Sequence, residues 1–558
     1  MARRVRIAGR PVKVIAQLLD RSGTLRSLGA LGVVQKHLDA PVDDAPAEGA
    51  VVARHADADA PARAINLERL ANARPGRRGF PSVAAVASSF SSGASSPTQA
   101  LDAFFAGLAA SDALATPLSA FVPIDDVMRA RARAAAEASA ARWRSGTPRS
   151  VIDGMPFSVK DQVDVKGTRT GLGTRAPFPI ATSDAAVVER LEGLGAVLVG
   201  KNRMHEMGAG TTGFSLDGVS RNPWKLAHVC GGSSSGTASA VAAGMFPFAL
   251  GADGGGSIRM PASLSGIVGL KPTFGRISKV GSARISPSMG HLGPMAPSVV
   301  DTVVGFAAMT GRDARDADSM KQPPLNEDAL VAALSSTDLR GLRLGVDRGW
   351  IASADAAIAA RFWDVAAALE QRGAKLVDAG LTPAEHERFK ISHAVCIADE
   401  VATFLKEHPT TFAELSDAGR IGFLVGRALS PQVRERAKRH RVAAARRFAQ
   451  LFNDVDVLIT PTTAKTAAEV KPDLFPHGEL DIVHLQALIR FTSHGNLVGN
   501  PSMTVPIGFL DGLPLGLLVH GKDFDEATVI RVCAVAEDVA RDVVDAGVRA
   551  FSVPSQTG

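Results

Sequence analysis

Two clusters of glycine and serine contain residue types that could build a nucleophilic site. Residues 231–236 read GGSSSG, and residues 253–257 read DGGGS. Three consecutive glycines before Ser257 let the backbone approach a ligand closely and adopt conformations closed to other residues. Several amide N–H groups could then converge on one oxygen, as the oxyanion of a tetrahedral intermediate requires. The pattern therefore predicts acyl transfer with Ser257 as the nucleophile.

A serine hydroxyl is a weak nucleophile at neutral pH and needs a base. Lys160 ends the apolar segment MPFSVKD, where burial would destabilise the ammonium and lower its pKa toward neutrality. A neutral amine at this position could accept a proton, and Ser233 could pass that proton on from Ser257. The first cluster also precedes a predicted helix, whose free N–H groups add positive potential.

Alternating helices and strands must position these residues. A predicted helix over 187–195 and a strand over 196–200 follow the lysine segment, and a helix over 237–245 and a strand over 246–253 separate the two clusters. A helix followed by a strand brings the chain back to the same end of a sheet, where ligands bind in open α/β folds. The same alternation returns over 358–380 and 447–461. We therefore predict an α/β protein whose sheet is covered on both faces.

Composition changes along the 558 residues. Residues 1–80 contain the linker-like segments PVDDAPAEGA and ADADAPARA, so we expect an N-terminal extension that is partly disordered. Residues 81–545 are predicted to form the catalytic domain and residues 546–558 a C-terminal tail. Hydrophobic residues make up 46% of the chain and charged residues 21%, which is typical of a globular protein.

Several classes of protein are disfavoured by charge and cysteine usage. A net charge of +6 is mild for this length, so no nucleic-acid partner is expected. No apolar run reaches about 18 residues, so no membrane span is expected. The three cysteines are far apart and lack CxxC spacing, which indicates neither a disulfide framework nor a zinc site. The N-terminus lacks the pattern of a secretory signal, and a cytoplasmic location is expected.

Other motifs in the sequence have competing interpretations. Residues 232–236 also fit G-x-S-x-G with Ser234 as nucleophile, but that elbow needs a preceding strand, and RNPWKLAHV has little strand pattern. GAVLVGK resembles a P-loop, yet Asn202 replaces the Ser or Thr that binds magnesium. His205 lacks the second histidine of a zinc helix motif.

Two further features favour ordinary structural roles. Cys230, beside the glycines, is expected to be a small buried core residue and not a thiol nucleophile. The basic segment at 434–447 is expected to be a helix with one solvated basic face and not a nucleic-acid site.

The ordered motifs resemble the amidase signature family. GGSSSG followed by DGGGSIRMPASLSGIVGLKPTFGRI is similar to the family's serine motifs, and Ser257 lies 24 residues after Ser233, as in that family. MPFSVKD is similar to its lysine strand. Supporting segments are GAVLVGKN, RNPW at 221–224, SHGNLVGNPSMTVPIGF at 493–509 and DGLPLGLLVHG at 511–521. The resemblance covers residues 81–540.

The resemblance implies a fold and a set of roles. The fold is one large mixed β-sheet covered by helices on both faces. The catalytic residues are Lys160 as base, Ser233 as a cis-serine relay and Ser257 as the acyl-enzyme nucleophile. The backbone N–H groups of Gly254, Gly255, Gly256 and Ser257 form the oxyanion hole, and Asp253 and Arg259 brace the loop.

The reaction implied is hydrolysis of a small-molecule carboxamide, or a related C–N bond, to a carboxylate and ammonia. No metal or organic cofactor is implied, and a homodimer is the assembly that the family suggests. An alternative is the glutamine-hydrolysing subunit of a tRNA-dependent amidotransferase. A non-catalytic binding module is a third, which the intact catalytic trio argues against.

Some residues depart from the family pattern. Asn202 and Arg203 stand where the family often has Thr and Asn, Ser235 stands where many members have Gly, and the extension over 1–80 has no counterpart. These departures leave the substrate and the assembly open.

Overall fold

A mixed sheet of ten strands forms the centre of the computed structural model, which describes residues 6–13, 15, 38 and 52–549. The strands are β1 Arg6–Ala8, β2 Pro156–Lys160, β3 Val197–Asn202, β4 Phe214–Ser215, β5 Gly218–Val219, β6 Arg221–Asn222, β7 Lys225–Val229, β8 Ala249–Asp253, β9 Val268–Lys271, β10 His291–Ala296, β11 Arg343–Val346, β12 Lys375–Asp378, β13 Val457–Pro461, β14 Glu479–Asp481, β15 Ser502–Leu510 and β16 Leu513–Gly521.

The α-helices are α1 Leu67–Ala71, α2 Val83–Ser92, α3 Pro97–Asp112, α4 Asp126–Arg144, α5 Ala186–Gly193, α6 Ser235–Ala242, α7 Arg259–Leu264, α8 Val299–Met309, α9 Glu327–Ser335, α10 Arg348–Ile351, α11 Ala356–Gln371, α12 Pro383–Glu407, α13 Pro409–Ala413, α14 Asp417–Ala428, α15 Pro431–Asp454, α16 Ile482–Ile489, α17 Ser493–Val498 and α18 Glu526–Arg549.

The strand order of the large sheet is β12-β11-β13-β16-β15-β9-β10-β8-β2-β3. Strands at both ends pair in parallel, whereas the pairs from β13 through β8 are antiparallel. The predicted α/β fold with one large mixed sheet is therefore confirmed.

Helices cover both faces of this sheet, as the sequence predicts. Every residue of β2 is buried, and such continuous burial is typical of strands covered on both sides. Val303 of α8, Phe362 of α11 and Ile530 of α18 belong to the core on one face. Val241 of α6 and Ala262 of α7 belong to a second core on the other face.

The described part of the N-terminal extension contacts the rest of the protein. Leu67 and Leu70 of α1 are buried in the main core, and the Arg74 guanidinium donates to Ala534 O of α18 at 2.7 Å. Strand β1 pairs with β14 in antiparallel register. Of the two linker-like segments, PVDDAPAEGA at 41–50 lies outside the described residues. ADADAPARA at 56–64 instead contains a 3₁₀ turn, Ala56–Asp59, and the carbonyl groups of Ala58 and Ala60 accept from the Arg312 guanidinium.

Two other differences from expectation concern local elements. Strands β6 and β7 form a hairpin where the sequence has little strand pattern, because the Asn222 side chain accepts from the Trp224 amide in the turn. Helix α18 continues through Arg549, past the predicted domain boundary at residue 545. Residues 550–558 of the predicted tail lie outside the described residues. No helix within the described ranges is long and apolar enough to cross a membrane.

Candidate active site

The loops that follow two neighbouring parallel strands form the site. Strand β2 ends at Lys160, and β8, its parallel neighbour, ends at Asp253 just before the glycines and Ser257. Because parallel strands end at the same edge of a sheet, these residues meet there. Ser233 lies in the loop that enters α6, whose last turn leads back into β8. The expectation that both clusters converge on one sheet edge is thus confirmed.

Lys160 contacts the first serine cluster directly. Its Nζ lies 2.7 Å from Ser233 Oγ and 3.2 Å from the carbonyl oxygen of Ala252. The side chain is 1% exposed. Burial lowers the pKa of this amine to about 7, although the negative charge of Asp253 opposes the shift. A substantial fraction of Lys160 is therefore neutral near neutral pH and able to accept a proton.

Ser257 lines the same cavity as this pair. The Ser234 amide donates to Ser257 O at 3.2 Å, which joins the two loops, and the Gly232–Ser233 peptide bond is cis. Among the described residues, Ser257 Oγ makes no hydrogen bond with Ser233. Catalytic hydrogen bonds are often long without substrate and shorten in the Michaelis complex.

A buried ion pair holds the loop between β8 and α7. Arg259 donates from Nε and Nη2 to the two carboxylate oxygens of Asp253, both at 3.0 Å, and both side chains are fully buried. The same carboxylate accepts from the amides of Gly256 at 2.7 Å and Ile258 at 2.9 Å. Burial by itself would raise the pKa of Asp253, but the Arg259 charge and these hydrogen bonds hold it well below its usual range. Asn496 of α17 adds bonds to Asp253 O and Oδ1.

We expect Arg259→Met to reduce the free energy of unfolding by about 3–5 kcal/mol, because it leaves the buried Asp253 carboxylate unpaired. Chemical denaturation of the two proteins measures this difference. Lys465→Met is the matched control, since Lys465 pairs with Asp355 at an exposed position. A similar loss in both variants would show that the buried pair does not brace the loop.

The backbone N–H groups of the glycine loop differ in whether they already donate a hydrogen bond. The Gly256 N–H, one of the predicted oxyanion donors, is engaged by Asp253. The amides of the other predicted donors, Gly254, Gly255 and Ser257, make no hydrogen bond to another described residue. Two carbonyl groups of the loop accept from side chains of other elements: Gly254 O from His393 at 2.8 Å and Gly255 O from Thr492 at 2.7 Å. Sequence reasoning named neither His393 nor Thr492.

The site opens into a cavity of about 820 Å³. Lys160, Ser233 and Ser257 line one part of it. The rest is largely apolar and is formed by the segments 205–214 and 279–292 and by α12, α14 and α16. The apolar residues of these helices include Ile391, Val395, Val401, Ile421, Phe423, Ile482 and Leu485.

Glu206 is a buried acid in the cavity wall. Burial raises its pKa to about 7, although hydrogen bonds from Ser416 oppose the shift. Its carboxylate accepts from the Ser416 amide at 2.8 Å and from Ser416 Oγ at 2.6 Å. A Cβ on Gly419 would lie 2.3 Å from Glu206 Oε2, so glycine permits this close approach. Glu206 thus ties the start of α14 to the loop beside Ser233.

The motifs with competing interpretations have structural roles. Ser234 Oγ donates to Ala252 O at 3.0 Å and is fully buried, so it is not placed as a nucleophile. Lys201 of the P-loop-like segment forms a buried ion pair with Asp161 at 2.8 Å. Burial raises the pKa of the Cys230 thiol to about 12. Within the described ranges, no group of three or more His, Cys, Asp or Glu side chains is placed to hold a metal ion.

Comparison with known proteins gives consistent matches. The amidase family model matches residues 106–530. A fatty acid amide hydrolase of Arabidopsis thaliana is 36% identical over 415 residues, 73% of this chain and 68% of the relative. A glutamyl-tRNA(Gln) amidotransferase subunit of Chloroflexus aggregans is 36% identical over 437 residues, 72% of this chain and 86% of the relative. The solved peptide amidase from Stenotrophomonas maltophilia superposes with a TM-score of 0.71 at 27% identity, covering 83% of this chain and 97% of that chain.

Proposed function

Because this chain belongs to the amidase signature family, we propose that it hydrolyses amides that carry a long or bulky apolar acyl group. The nucleophile is Ser257, the relay is Ser233 and the base is Lys160. The observation that carries the proposal is the hydrogen bond between Lys160 and Ser233. Both residues line the same large, mainly apolar cavity as Ser257.

The proposed reaction proceeds through an acyl-enzyme. Ser257 Oγ attacks the amide carbonyl, its proton passes to Ser233 Oγ, and the Ser233 proton passes to Lys160 Nζ. The amides of Gly255 and Ser257 stabilise the oxyanion of the tetrahedral intermediate. When the C–N bond breaks, the proton returns from Lys160 through Ser233 to the leaving nitrogen, which departs as ammonia or an amine. Water, activated by the same relay, then hydrolyses the ester and releases the carboxylic acid.

The size and lining of the cavity support the substrate class. Isoleucine, valine, leucine and phenylalanine side chains, together with alanine and methionine, provide the apolar part of its lining beyond the catalytic residues. Transfer of each substrate methylene from water into such a lining contributes about 0.8 kcal/mol. A long acyl chain would therefore gain much more binding free energy here than a short one.

Gly422→Phe should selectively slow the hydrolysis of long-chain amides. Gly422 is an exposed residue of α14 that lines the cavity, and a Cβ there would contact no neighbouring atom. A phenyl ring at this position can cover part of the cavity opening without displacing protein atoms. Each methylene that it displaces costs about 0.8 kcal/mol, so kcat/KM for a long-chain amide should fall roughly tenfold or more, with little change for a short amide.

Gly107→Phe is the matched control for this variant. Gly107 also lies within a helix, α3, and a Cβ there also meets open space, but the residue does not line the cavity. Equal effects on long and short amides in Gly422→Phe would contradict the assignment of the cavity to the acyl chain.

Ammonia release from a panel of primary amides tests the proposed function. The panel runs from acetamide through aliphatic amides of increasing length to oleamide, and it includes glutamine. We expect kcat/KM to rise with chain length. No turnover of any member, with no covalent reaction at Ser257, would contradict the proposal.

A second candidate is a glutamine-hydrolysing amidotransferase subunit, which the similarity to the Chloroflexus aggregans protein favours. Charged side chains such as Glu206, Arg284 and Lys390 also line the cavity and could contact a polar substrate. Glutamine hydrolysis that appears only when partner subunits are added, without turnover of fatty amides, would favour this candidate.

A further inference from the structure

The glycine loop before Ser257 is held from outside by a histidine of the cavity wall. His393 lies on α12 and is 3% exposed. Its Nε2 lies 2.8 Å from Gly254 O. A Cβ on Gly255 would lie only 2.8 Å from His393 Cε1, so the imidazole packs directly against the glycine backbone. The contact is therefore both a hydrogen bond and a steric support.

The protonation of His393 follows from its surroundings. Burial lowers the pKa of the imidazole to about 4, against the raising effect of the bond to Gly254, so the ring is neutral at neutral pH. A neutral imidazole has one N–H group. Since a carbonyl oxygen can only accept, that proton resides on Nε2, which donates to Gly254 O.

The hydrogen bond from His393 to Gly254 O affects the predicted oxyanion hole through a single peptide unit. Gly254 C=O and Gly255 N–H belong to the same planar trans peptide, in which the two groups point in opposite directions. Fixing the carbonyl therefore fixes the direction of the Gly255 N–H. Glycines have more conformational freedom than other residues, so this loop depends on such anchors for its preorganisation.

We propose that His393 is a positioning residue of the oxyanion hole, which holds Gly254 O so that the Gly255 N–H is directed at the reacting carbonyl oxygen. This inference rests on the proposed function. Thr492 has a parallel role on the next peptide, because its bond to Gly255 O orients the Gly256 N–H, which donates to Asp253. The two side chains thus orient different N–H groups. His393 orients the Gly255 N–H, which is directed at the substrate, and Thr492 orients the Gly256 N–H, which stabilises the loop.

The location of His393 also links the oxyanion hole to the acyl cavity. Ile391 and Val395, two residues to either side on α12, line the cavity wall. Any displacement of this helix by a poorly fitting acyl chain would move the imidazole and, with it, the Gly255 N–H. The same helix would then contribute to both substrate fit and transition-state stabilisation.

His393→Asn and His393→Gln separate positioning from packing. The glutamine amide can place a donor near the position of Nε2, whereas the asparagine amide is too short to reach Gly254 O. The Asn variant should lose roughly tenfold or more in kcat with a smaller change in KM, below the 10²- to 10³-fold typical of losing a direct donor. The Gln variant should recover much of this loss. Ser392→Ala is the control, since Ser392 Oγ is buried on the same helix without a partner among the described residues.

Two readouts report the oxyanion hole directly. The first is the second-order rate at which an alkyl fluorophosphonate modifies Ser257, because its phosphoryl oxygen occupies the hole. The second is the ratio of inhibition constants for an alkyl trifluoromethyl ketone, which forms an oxyanion on addition of Ser257, and the corresponding alcohol, which does not. In His393→Asn both the rate and the ketone affinity should fall, with the alcohol affinity unchanged.

The outcomes distinguish this inference from the proposed function. Unchanged fluorophosphonate and ketone reactivity in His393→Asn, or an equal loss of ketone and alcohol affinity, would overturn the role of His393. An absence of reaction at Ser257 in the wild-type protein would instead overturn the proposed function. Should His393→Asn melt below the assay temperature, His393→Met supplies a larger side chain that also lacks a donor.

Discussion

Ser257→Ala is expected to lower amide turnover by a factor on the order of 10⁴ or more, because it removes the atom that forms the acyl-enzyme. The loss should be in kcat, while the apolar cavity continues to bind substrate. The fold should be unaffected, since the serine side chain contributes a hydroxyl at the cavity surface and the buried Asp253–Arg259 pair remains. Steady-state kinetics and thermal melting measure the two effects.

Ser263→Ala is the matched control for this substitution. Ser263 lies on the following helix, α7, and its buried Oγ has no partner among the described residues. It should retain turnover. Substantial residual activity in Ser257→Ala would show that another residue is the nucleophile.

Lys160→Met should lower kcat/KM by about 100- to 10,000-fold, the range that general-base catalysis contributes. The expected pH profile follows from the pKa of about 7 that burial gives this amine. Below that pH Lys160 is protonated and cannot accept the proton from Ser233, so wild-type kcat/KM should fall about tenfold per pH unit. Above it the amine is neutral and the rate should reach a plateau.

Lys160→Met should lose the acidic limb of the pH profile of kcat/KM as well as most of its activity. Lys390→Met is a control because Lys390 is another lysine that lines the cavity, where it pairs with Glu387 and not with Ser233. The control should keep the wild-type profile. A retained limb near pH 7 in Lys160→Met would assign that titration to a different group, such as Glu206.

Local sequence patterns predict the elements that carry the site. The apolar run before Lys160 forms buried strand β2, and the helix and strand between the two serine clusters form α6 and β8. These elements obey short-range rules: continuous burial for a central strand, and a helical crossover that returns the chain to the same sheet edge. The contact between Lys160 and Ser233 follows from this topology.

The outer supports of the site could not be predicted in the same way. His393 lies about 140 residues from Gly254 in sequence, and its helix shows only the apolar periodicity that a core helix also has. Glu206 is recognisable in the sequence only as part of an incomplete metal motif, because its partner Ser416 belongs to a distant helix cap. Such pairings depend on how α12 and α14 pack over the sheet, which no local pattern encodes.

Arg441 illustrates the same limit within a correctly predicted helix. The segment 434–447 is helical and presents charged side chains to solvent, as expected. Arg441, however, points inward and donates to Leu497 O at 2.8 Å and to Ser288 Oγ at 2.6 Å. A basic residue in such a helix is expected on the solvated face. Arg441 is buried instead because Leu497 and Ser288, on neighbouring elements, supply acceptors for its guanidinium.

The most direct test of the proposed mechanism is to label the purified protein with an alkyl fluorophosphonate and map the adduct by peptide mass spectrometry. We expect a single adduct on Ser257 that forms rapidly in the wild-type protein and is lost or strongly slowed in Lys160→Ala. An adduct on Ser234, or labelling of Ser257 at an unchanged rate without Lys160, would contradict the mechanism.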